Sequence, residues 1–175
     1  MINSMLKSLL ALLVCARIVS AQEGVGTASV LERLAVRAAL EHAGAWVTPG
    51  LRVVIDPMIV EANQAPPTYR GSRTRDSSRN RYLTEAFHAS SLRHDSVVDC
   101  SARPCRMHDA DVLVTLSEPA IVGDKATVTV TTVLPVHGTS DRRVPITTYY
   151  KTTNVRLEKR GASWQVVGLD DLGMS

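Results

Sequence analysis

The stretch of chain between His88 and Asp111 concentrates side chains that bind metals or react as thiols. It contains His88, His94, Cys100, Cys105, His108, Asp109 and Asp111. Zinc sites use such ligands, but their cysteines and histidines recur at a few short spacings. Here four residues separate Cys100 from Cys105 and two separate Cys105 from His108, which fits no common zinc pattern. We therefore expect no metal site and no other cofactor, and the two cysteines have to be explained differently.

The N-terminus predicts the compartment in which those cysteines act. Lys7 is followed by an apolar run over residues 9–16 and by the small-residue sequence Val19-Ser20-Ala21. This order is typical of a secretory signal peptide cleaved after Ala21. The apolar run is well short of the roughly 20 residues that a membrane-spanning helix needs. Residues 1–21 are therefore predicted to direct export to a periplasmic or extracellular location, with no transmembrane helix after cleavage.

Cleavage would leave an even pair of cysteines. A lipoprotein alternative would make Cys15 the lipidated residue, but Val14 stands where that processing requires a small residue. Two remaining cysteines in an oxidising compartment predict a disulfide between Cys100 and Cys105. Pro104 suits the tight turn that this bond would close. Because the loop is so short, the bond should stabilise the fold by only about 2 kcal/mol.

Net charge gives no argument for nucleic acid as a partner. The whole chain carries 20 basic and 17 acidic residues. Removal of the predicted signal takes away Lys7 and Arg17, which leaves 18 basic against 17 acidic residues. The basic character of the whole chain is therefore partly a property of the leader, and we expect no nucleic acid as a partner.

Arginines are nevertheless concentrated in one segment. Residues 62–79 are rich in turn-forming types and contain almost nothing that can be buried, so we expect an exposed loop. In and just after it lie Arg70, Arg73, Arg75, Arg79 and Arg81, opposed only by Asp76. Such a loop either keeps the surface solvated or contacts a polyanion. With only Tyr69 and Tyr82 nearby, it lacks the repeated aromatics of a single-strand binder.

The rest of the chain alternates between two periodicities. Apolar residues at helical spacing from Val30 to a stop at Gly44, with the capping-box spacing of Ser29 and Glu32, predict one helix. A second helix is predicted over about residues 80–92. Between them, residues 51–60 indicate a strand with a bulge or an edge position at Pro57.

From residue 112 onward, residue types alternate with a period of two residues. Alternation predicts antiparallel strands over residues 112–117, 126–131, 149–157 and 163–169, with turns at 122–125 and 159–162. The alternating threonines Thr127, Thr129 and Thr131, followed by Thr132, suggest a solvent-exposed sheet face. Helices first and a curved antiparallel sheet afterwards predict a single α+β domain over residues 22–175.

The element order and the closing strand pair, Leu-Glu-Lys-Arg-Gly-Ala-Ser-Trp-Gln-Val-Val at 157–167, resemble the nuclear-transport-factor-2-like superfamily and its cystatin-like relatives. The resemblance covers about residues 28–170 and implies a pocket between sheet and helices. Some members are isomerases or dehydratases that use a general base and a phenolic donor. The resemblance therefore implies four candidates of the residue types that such a site would use: Asp56, His88, Tyr149 and Tyr150.

No motif for phosphoryl transfer, α/β-hydrolase or zinc-peptidase chemistry is found. The leading hypothesis is therefore an exported, non-enzymatic domain that binds a small molecule or an envelope protein through the concavity of the sheet. One alternative is a small acid/base enzyme of the isomerase or dehydratase type. The other is a polyanion-binding surface that uses the arginine segment.

Overall fold

The computed structural model describes residues 26–44, 50–69, 71–101, 105–136 and 147–174. The helices are α1 (Thr27–His42), α2 (Ser77–Phe87) and α3 (His94–Val97). The strands are β1 (Val53–Val60), β2 (Arg73–Thr74), β3 (Ser90–Ser91), β4 (Val98–Asp99), β5 (Arg106–Met107), β6 (Val112–Ser117), β7 (Ala120–Val122), β8 (Lys125–Val136), β9 (Thr147–Arg160) and β10 (Ser163–Met174). The α+β class is confirmed. The predicted signal at 1–21, with Cys15, and the predicted polyanion contact Arg70 lie outside the described residues.

One large mixed sheet organises the domain, in the order β10-β9-β8-β6-β1-β2. Strands β6, β8, β9 and β10 form the predicted antiparallel series, with β7 added to β8. Strand β1 differs from that expectation because it pairs in parallel with β6, from Val53↔Val112 to Val60↔Ser117. Parallel pairing is available because the long connection through α2 carries the chain back to the same end of the sheet. A small second sheet joins β4 to β5.

Pro57 interrupts the pairing of β1 without ending the strand. The register with β6 shifts between Ile55 and Ile59, so the proline occupies the predicted bulge. On the other side of β1, the Pro57 carbonyl accepts a hydrogen bond from the Arg75 amide at 2.7 Å. A proline has no amide to donate, and a bulge is where a sheet tolerates that loss.

The face of the sheet under α1 is an apolar core. Helix α1 packs against β8, β9 and β10. The buried apolar residues include Leu31, Ala35, Val36, Leu40, Ile55, Leu83, Val114, Val128, Val130, Val155 and Leu157. Burying a side chain of this kind stabilises the fold by roughly 1.5–3 kcal/mol.

The opposite face of the sheet is also covered, which the sequence did not predict. Thr129 and Thr131 are buried, not solvated. The residue 61–69 segment lies across them, since the Asn63 amide donates to Thr129 Oγ1 at 3.0 Å and the Asn154 side-chain amide donates to Asn63 Oδ1 at 2.7 Å. Threonine hydroxyls can be buried here because other polar groups hydrogen-bond to them.

Both long helices begin earlier than their patterns suggested. Helix α1 starts at Thr27, so Ser29 and Glu32 lie inside it and do not form a capping box. Helix α2 starts at Ser77 because the Asp76 carboxylate accepts from the Ser78 and Arg79 amides. It ends at Phe87. None of the described helices is long and apolar enough to cross a membrane.

Candidate functional site: a tyrosine and histidine cluster at Asp56

Asp56 lies at the β1 bulge and is completely buried on the face away from α1. Its Oδ1 accepts the Met58 amide at 2.8 Å. Its Oδ2 accepts the Tyr69 hydroxyl at 2.9 Å and the His94 amide at 3.0 Å. The carboxylate therefore joins two separate covering segments to the sheet, one carrying Tyr69 and the other carrying His94.

Three rings line up beside this carboxylate. The Tyr69 and His94 ring centroids are 5.6 Å apart, and those of His94 and Tyr150 are 6.1 Å apart. His94 Nε2 and the Tyr150 hydroxyl oxygen are 3.2 Å apart, within hydrogen-bonding distance. All three side chains are half-buried, so the edge of this cluster reaches solvent. We call Asp56, Tyr69, His94 and Tyr150 the Asp56 cluster.

The cluster holds its aromatic groups in their neutral forms. Burial raises the pKa of Tyr69, and the neighbouring Asp56 carboxylate raises it further. Burial also raises the pKa of Tyr150. Burial lowers the pKa of His94 below its ordinary value of 6.5, although the carboxylates of Asp56 and Asp95 oppose that change. At neutral pH the site therefore offers two phenols and an uncharged imidazole.

Buried hydroxyls on β6, β8 and β9 continue from the cluster across the same face. Thr115 pairs with Thr131, and Thr131 pairs with Thr152, so the three side chains share a row. The Thr131 and Thr152 hydroxyls are hydrogen-bonded at 2.9 Å. Thr115 Oγ1 is fully buried and has no hydrogen-bond partner within the described part of the chain. Thr115 lies on β6 opposite the β1 bulge that carries Asp56.

The structure brings together two of the four acid/base candidates. Asp56 and Tyr150 meet through His94, which contacts one by its amide and the other by its ring. His88 is exposed, in the left-handed conformation that ends α2. Tyr149 points to the other face of β9 because successive side chains alternate along a strand.

Sequence reasoning missed His94 and Tyr69 as members of this site. In the sequence, His94 stands among possible metal ligands, and Tyr69 is an aromatic beside the arginine segment. Neither has a local pattern that points to Asp56, which is 38 and 13 residues away in the chain. The alternation along β9 was a usable signal, since it separates Tyr149 from Tyr150.

Arg75 differs most from the expected exposed loop, because its side chain is fully buried. It donates to Glu32 Oε1 at 3.1 Å and to the Asp56 main-chain oxygen at 2.9 Å. Arg79 makes two hydrogen bonds to Glu32 and one to Glu118. We call Glu32, Arg75, Arg79 and Glu118 the ion-pair cluster. Burial lowers the pKa of Arg75, and Glu32 opposes that change.

The other arginines of the segment lie at the surface. Arg73 is exposed and ion-paired with Glu118 at 2.9 Å, and Arg81 is exposed on α2. Polyanion binding by this segment stays a prediction, and within the described residues Arg73 and Arg81 are the candidates that face solvent most fully.

The predicted disulfide between Cys100 and Cys105 is confirmed. It closes the connection between β4 and β5, where Val98 pairs with Met107 and Asp99 pairs with Arg106. Cys105 packs beside Tyr150 against a small apolar cluster on the same side of the sheet as Asp56. A disulfide of this kind indicates an oxidising compartment. In the described ranges, no three histidine, cysteine or acidic side chains group as metal ligands would.

No family model, curated protein or solved structure matches this chain.

Proposed function

We propose that this is an exported binding domain, and that the Asp56 cluster holds a small, uncharged molecule by hydrogen bonds without transforming it. The observation that carries the proposal is that the buried carboxylate and the half-buried rings of the cluster have different hydrogen-bonding roles. The Asp56 oxygens are occupied by three donors, while half-buried Tyr69, His94 and Tyr150 supply polar groups and ring faces next to solvent.

The same geometry argues against acid/base catalysis by Asp56. A general base must have a lone pair within reach of the substrate proton. Asp56 is buried and already accepts from Met58, Tyr69 and His94, so its role is to position the two covering segments. The raised pKa values of Tyr69 and Tyr150 keep both phenols protonated, so neither supplies a phenolate base.

The charge of the site bears on the ligand class. The rings at its solvent edge are neutral and the buried Asp56 carboxylate lies beside them, so an anionic ligand would lose hydration without gaining a counter-ion, which is costly. A planar, uncharged ligand can stack on the aromatic rings and exchange hydrogen bonds with the hydroxyls and the imidazole.

Fragment binding tests this proposal. Benzamide, nicotinamide, phenol and benzoate would be titrated into the domain, with chemical shifts of the His94 and tyrosine ring protons as the readout. We expect the three uncharged fragments to bind and shift those resonances, and benzoate to bind more weakly. Binding should weaken in Tyr150→Phe and stay unchanged in the matched variant Tyr82→Phe, because Tyr82 lies on α2 beneath Arg33. Equal loss in both variants would refute the site.

Catalysis is tested separately on a ketone probe. Enolisation of cyclohexanone in D₂O would replace its α-protons with deuterium, which proton NMR follows directly. We expect the domain to leave the rate of that exchange at the buffer value. Acceleration that disappears in His94→Gln would establish the acid/base alternative and overturn the non-enzymatic proposal.

Export is tested by the intact mass of the protein recovered from its own host. We expect the mass of a chain that begins at Gln22. On reduction this mass should increase by about 2 Da, since reducing one disulfide adds two hydrogens. An uncleaved, reduced chain would contradict both the signal peptide and the compartment.

A further inference from the structure

A groove follows the exposed flank of α1, on the opposite side of the sheet from the Asp56 cluster. It consists of two recesses that share Leu34 and Arg37 in their walls. The larger, of about 380 Å³, lies between α1 and the edge strand β10. The smaller, of about 240 Å³, lies between α1 and the end of α2. Ligand pockets in proteins span roughly 300–1,000 Å³, and the larger recess falls within that range.

The two recesses differ in chemistry. Leu34 and Ala38 of α1 face Val166 and Leu169 of β10, so the larger recess has an apolar floor. Val166 is 37% exposed, although it is a large apolar side chain in the middle of a strand. The smaller recess has Arg33 and Arg37 in its walls, with Phe87 beside them. An apolar recess and a cationic recess therefore lie side by side and share Leu34 and Arg37.

The charges around the groove favour an anionic headgroup in the smaller recess. Arg33 lies over the Tyr82 ring, 5.5 Å from its centroid, which orients its guanidinium without neutralising it. Arg37 is 3.9 Å from Glu41, and both side chains are more than half exposed, so their ion pair contributes little to stability. At the far end, His42 contacts Asp171 at 2.9 Å.

The length of the groove suits a single alkyl chain. From Arg33 to His42 the helix axis advances by about 14 Å at 1.5 Å per residue. Edge strand β10 also carries Val167 and Leu172, which are both exposed and lie where the register with β9 shifts. Such bulges hinder another strand from pairing with this edge, which favours a flexible chain as the occupant over an added strand.

We propose that this groove binds a single-chain amphiphile with a carboxylate headgroup, the headgroup against Arg33 and Arg37 and the alkyl chain over Leu34, Ala38, Val166 and Leu169. This site is independent of the Asp56 cluster and does not rest on the function proposed for it.

Calorimetric titration with dodecanoate, below the concentration at which it forms micelles, tests the proposal. Dodecyltrimethylammonium, which has the same chain and the opposite charge, is the matched probe. We expect saturable one-to-one binding of dodecanoate. Arg37→Gln should weaken it about fivefold and Val166→Glu about tenfold, corresponding to losses near 1 kcal/mol and 1.4 kcal/mol. Both residues are partly exposed, so both variants should fold, which circular dichroism would check.

Two control variants separate this groove from general surface effects. Val122 on β7 is 79% exposed and Arg160 on β9 is also exposed, and neither lines the groove. Val122→Glu and Arg160→Gln should leave dodecanoate binding unchanged. Absence of saturable binding, equal binding of dodecyltrimethylammonium, or equal loss in the control variants would overturn the proposal. A dimer in sedimentation equilibrium that Val166→Glu dissociates would assign the groove to a second copy of the chain and overturn it as well.

Discussion

Strand β1 separates two polar clusters that are built on opposite principles. On the helical side, the ion-pair cluster joins Glu32 and Arg75, whose side chains are both fully buried. On the other side, the Asp56 cluster surrounds one carboxylate with neutral rings and amides. A hydrogen bond from Arg75 Nη1 to the Asp56 main-chain oxygen connects them.

The difference shows how one short strand can serve both stability and recognition. Charges buried in the ion-pair cluster must be matched in place, because an unmatched buried charge costs several kcal/mol. That cluster therefore fixes how α1, α2 and β1 meet. The Asp56 cluster has neutral polar groups at its solvent edge, which can stay partly exposed at little cost, so it is the better place for a ligand.

The largest effect on stability is expected in the ion-pair cluster. Glu32→Gln removes the carboxylate that faces both Arg75 and Arg79, and should lower the free energy of unfolding by about 3 kcal/mol. Urea denaturation measures the loss. Glu41→Gln is the matched control on the exposed side of the same helix and should change stability by less than about 0.5 kcal/mol.

A double variant sharpens that prediction. Glu32→Leu combined with Arg75→Leu removes both buried charges and should recover much of the loss, since buried ion pairs are often replaceable by apolar residues. If the double variant is less stable than Glu32→Gln, the ion pair contributes more than its desolvation costs.

Asp56→Asn should give the next largest effect, about 2 kcal/mol of lost stability. The substitution places an amide NH₂ where the carboxylate accepts hydrogen bonds, so at least one of the donors from Met58, Tyr69 and His94 loses its acceptor. Thermal unfolding provides the measurement, with exposed Asp95→Asn as control. Equal effects of the two changes would mean that Asp56 does not hold the covering segments.

Thr115→Val should stabilise the protein by about 1 kcal/mol, because it replaces a buried hydroxyl that lacks a partner among the described residues with a methyl group of similar size. Thr131→Val is the contrasting variant and should destabilise by about as much, since it leaves the Thr152 hydroxyl without its partner. Urea denaturation compares the two. Destabilisation by Thr115→Val would reveal that its hydroxyl is bound by a buried water molecule.

The smallest effect concerns pH. Burial lowers the pKa of folded His94 below 6.5, the value expected in the unfolded chain. The unfolded state therefore takes up a proton first, so the free energy of unfolding should be highest above pH 6.5 and fall as the pH drops through the folded pKa. Denaturation at a series of pH values would show this dependence, which His94→Gln should reduce and exposed His88→Gln should not. An unchanged dependence in His94→Gln would exclude His94 as its source.

Local patterns predicted the elements that depend on near neighbours in the chain. Alternation located β6, β8, β9 and β10, helical spacing and Gly44 located α1, and cysteine count with the predicted compartment gave the Cys100–Cys105 disulfide. In each case the deciding interactions lie within one element or one turn. These parts of the fold follow from the periodicity of apolar residues, from residue types that favour turns, and from the even number of cysteines.

Contacts between distant segments could not be predicted in this way. Arg75 resembles any arginine in a polar stretch, and its partners when buried include Glu32, which lies 43 residues earlier on α1, and the Asp56 main-chain oxygen. The alternation of the β8 threonines predicted a solvent-exposed face, because nothing in that pattern indicates that residues 61–69 cover them. His94 and Tyr69 belong to the site for the same reason, since Asp56 gathers them from other segments.

The parallel pairing of β1 with β6 sets an order for assembly of the molecule. Strands β9 and β10 join through the turn at residues 161–162, and residues 137–146 separate β8 from β9, so contacts among these three strands close over short stretches of chain. By contrast, the Arg52 amide donates to the Asp111 carboxylate across 59 residues, and closing a longer loop costs more chain entropy. We therefore expect the meander to form early in folding and β1 to dock late. Because Asp56 lies on β1, the binding cluster becomes complete only when folding is nearly finished.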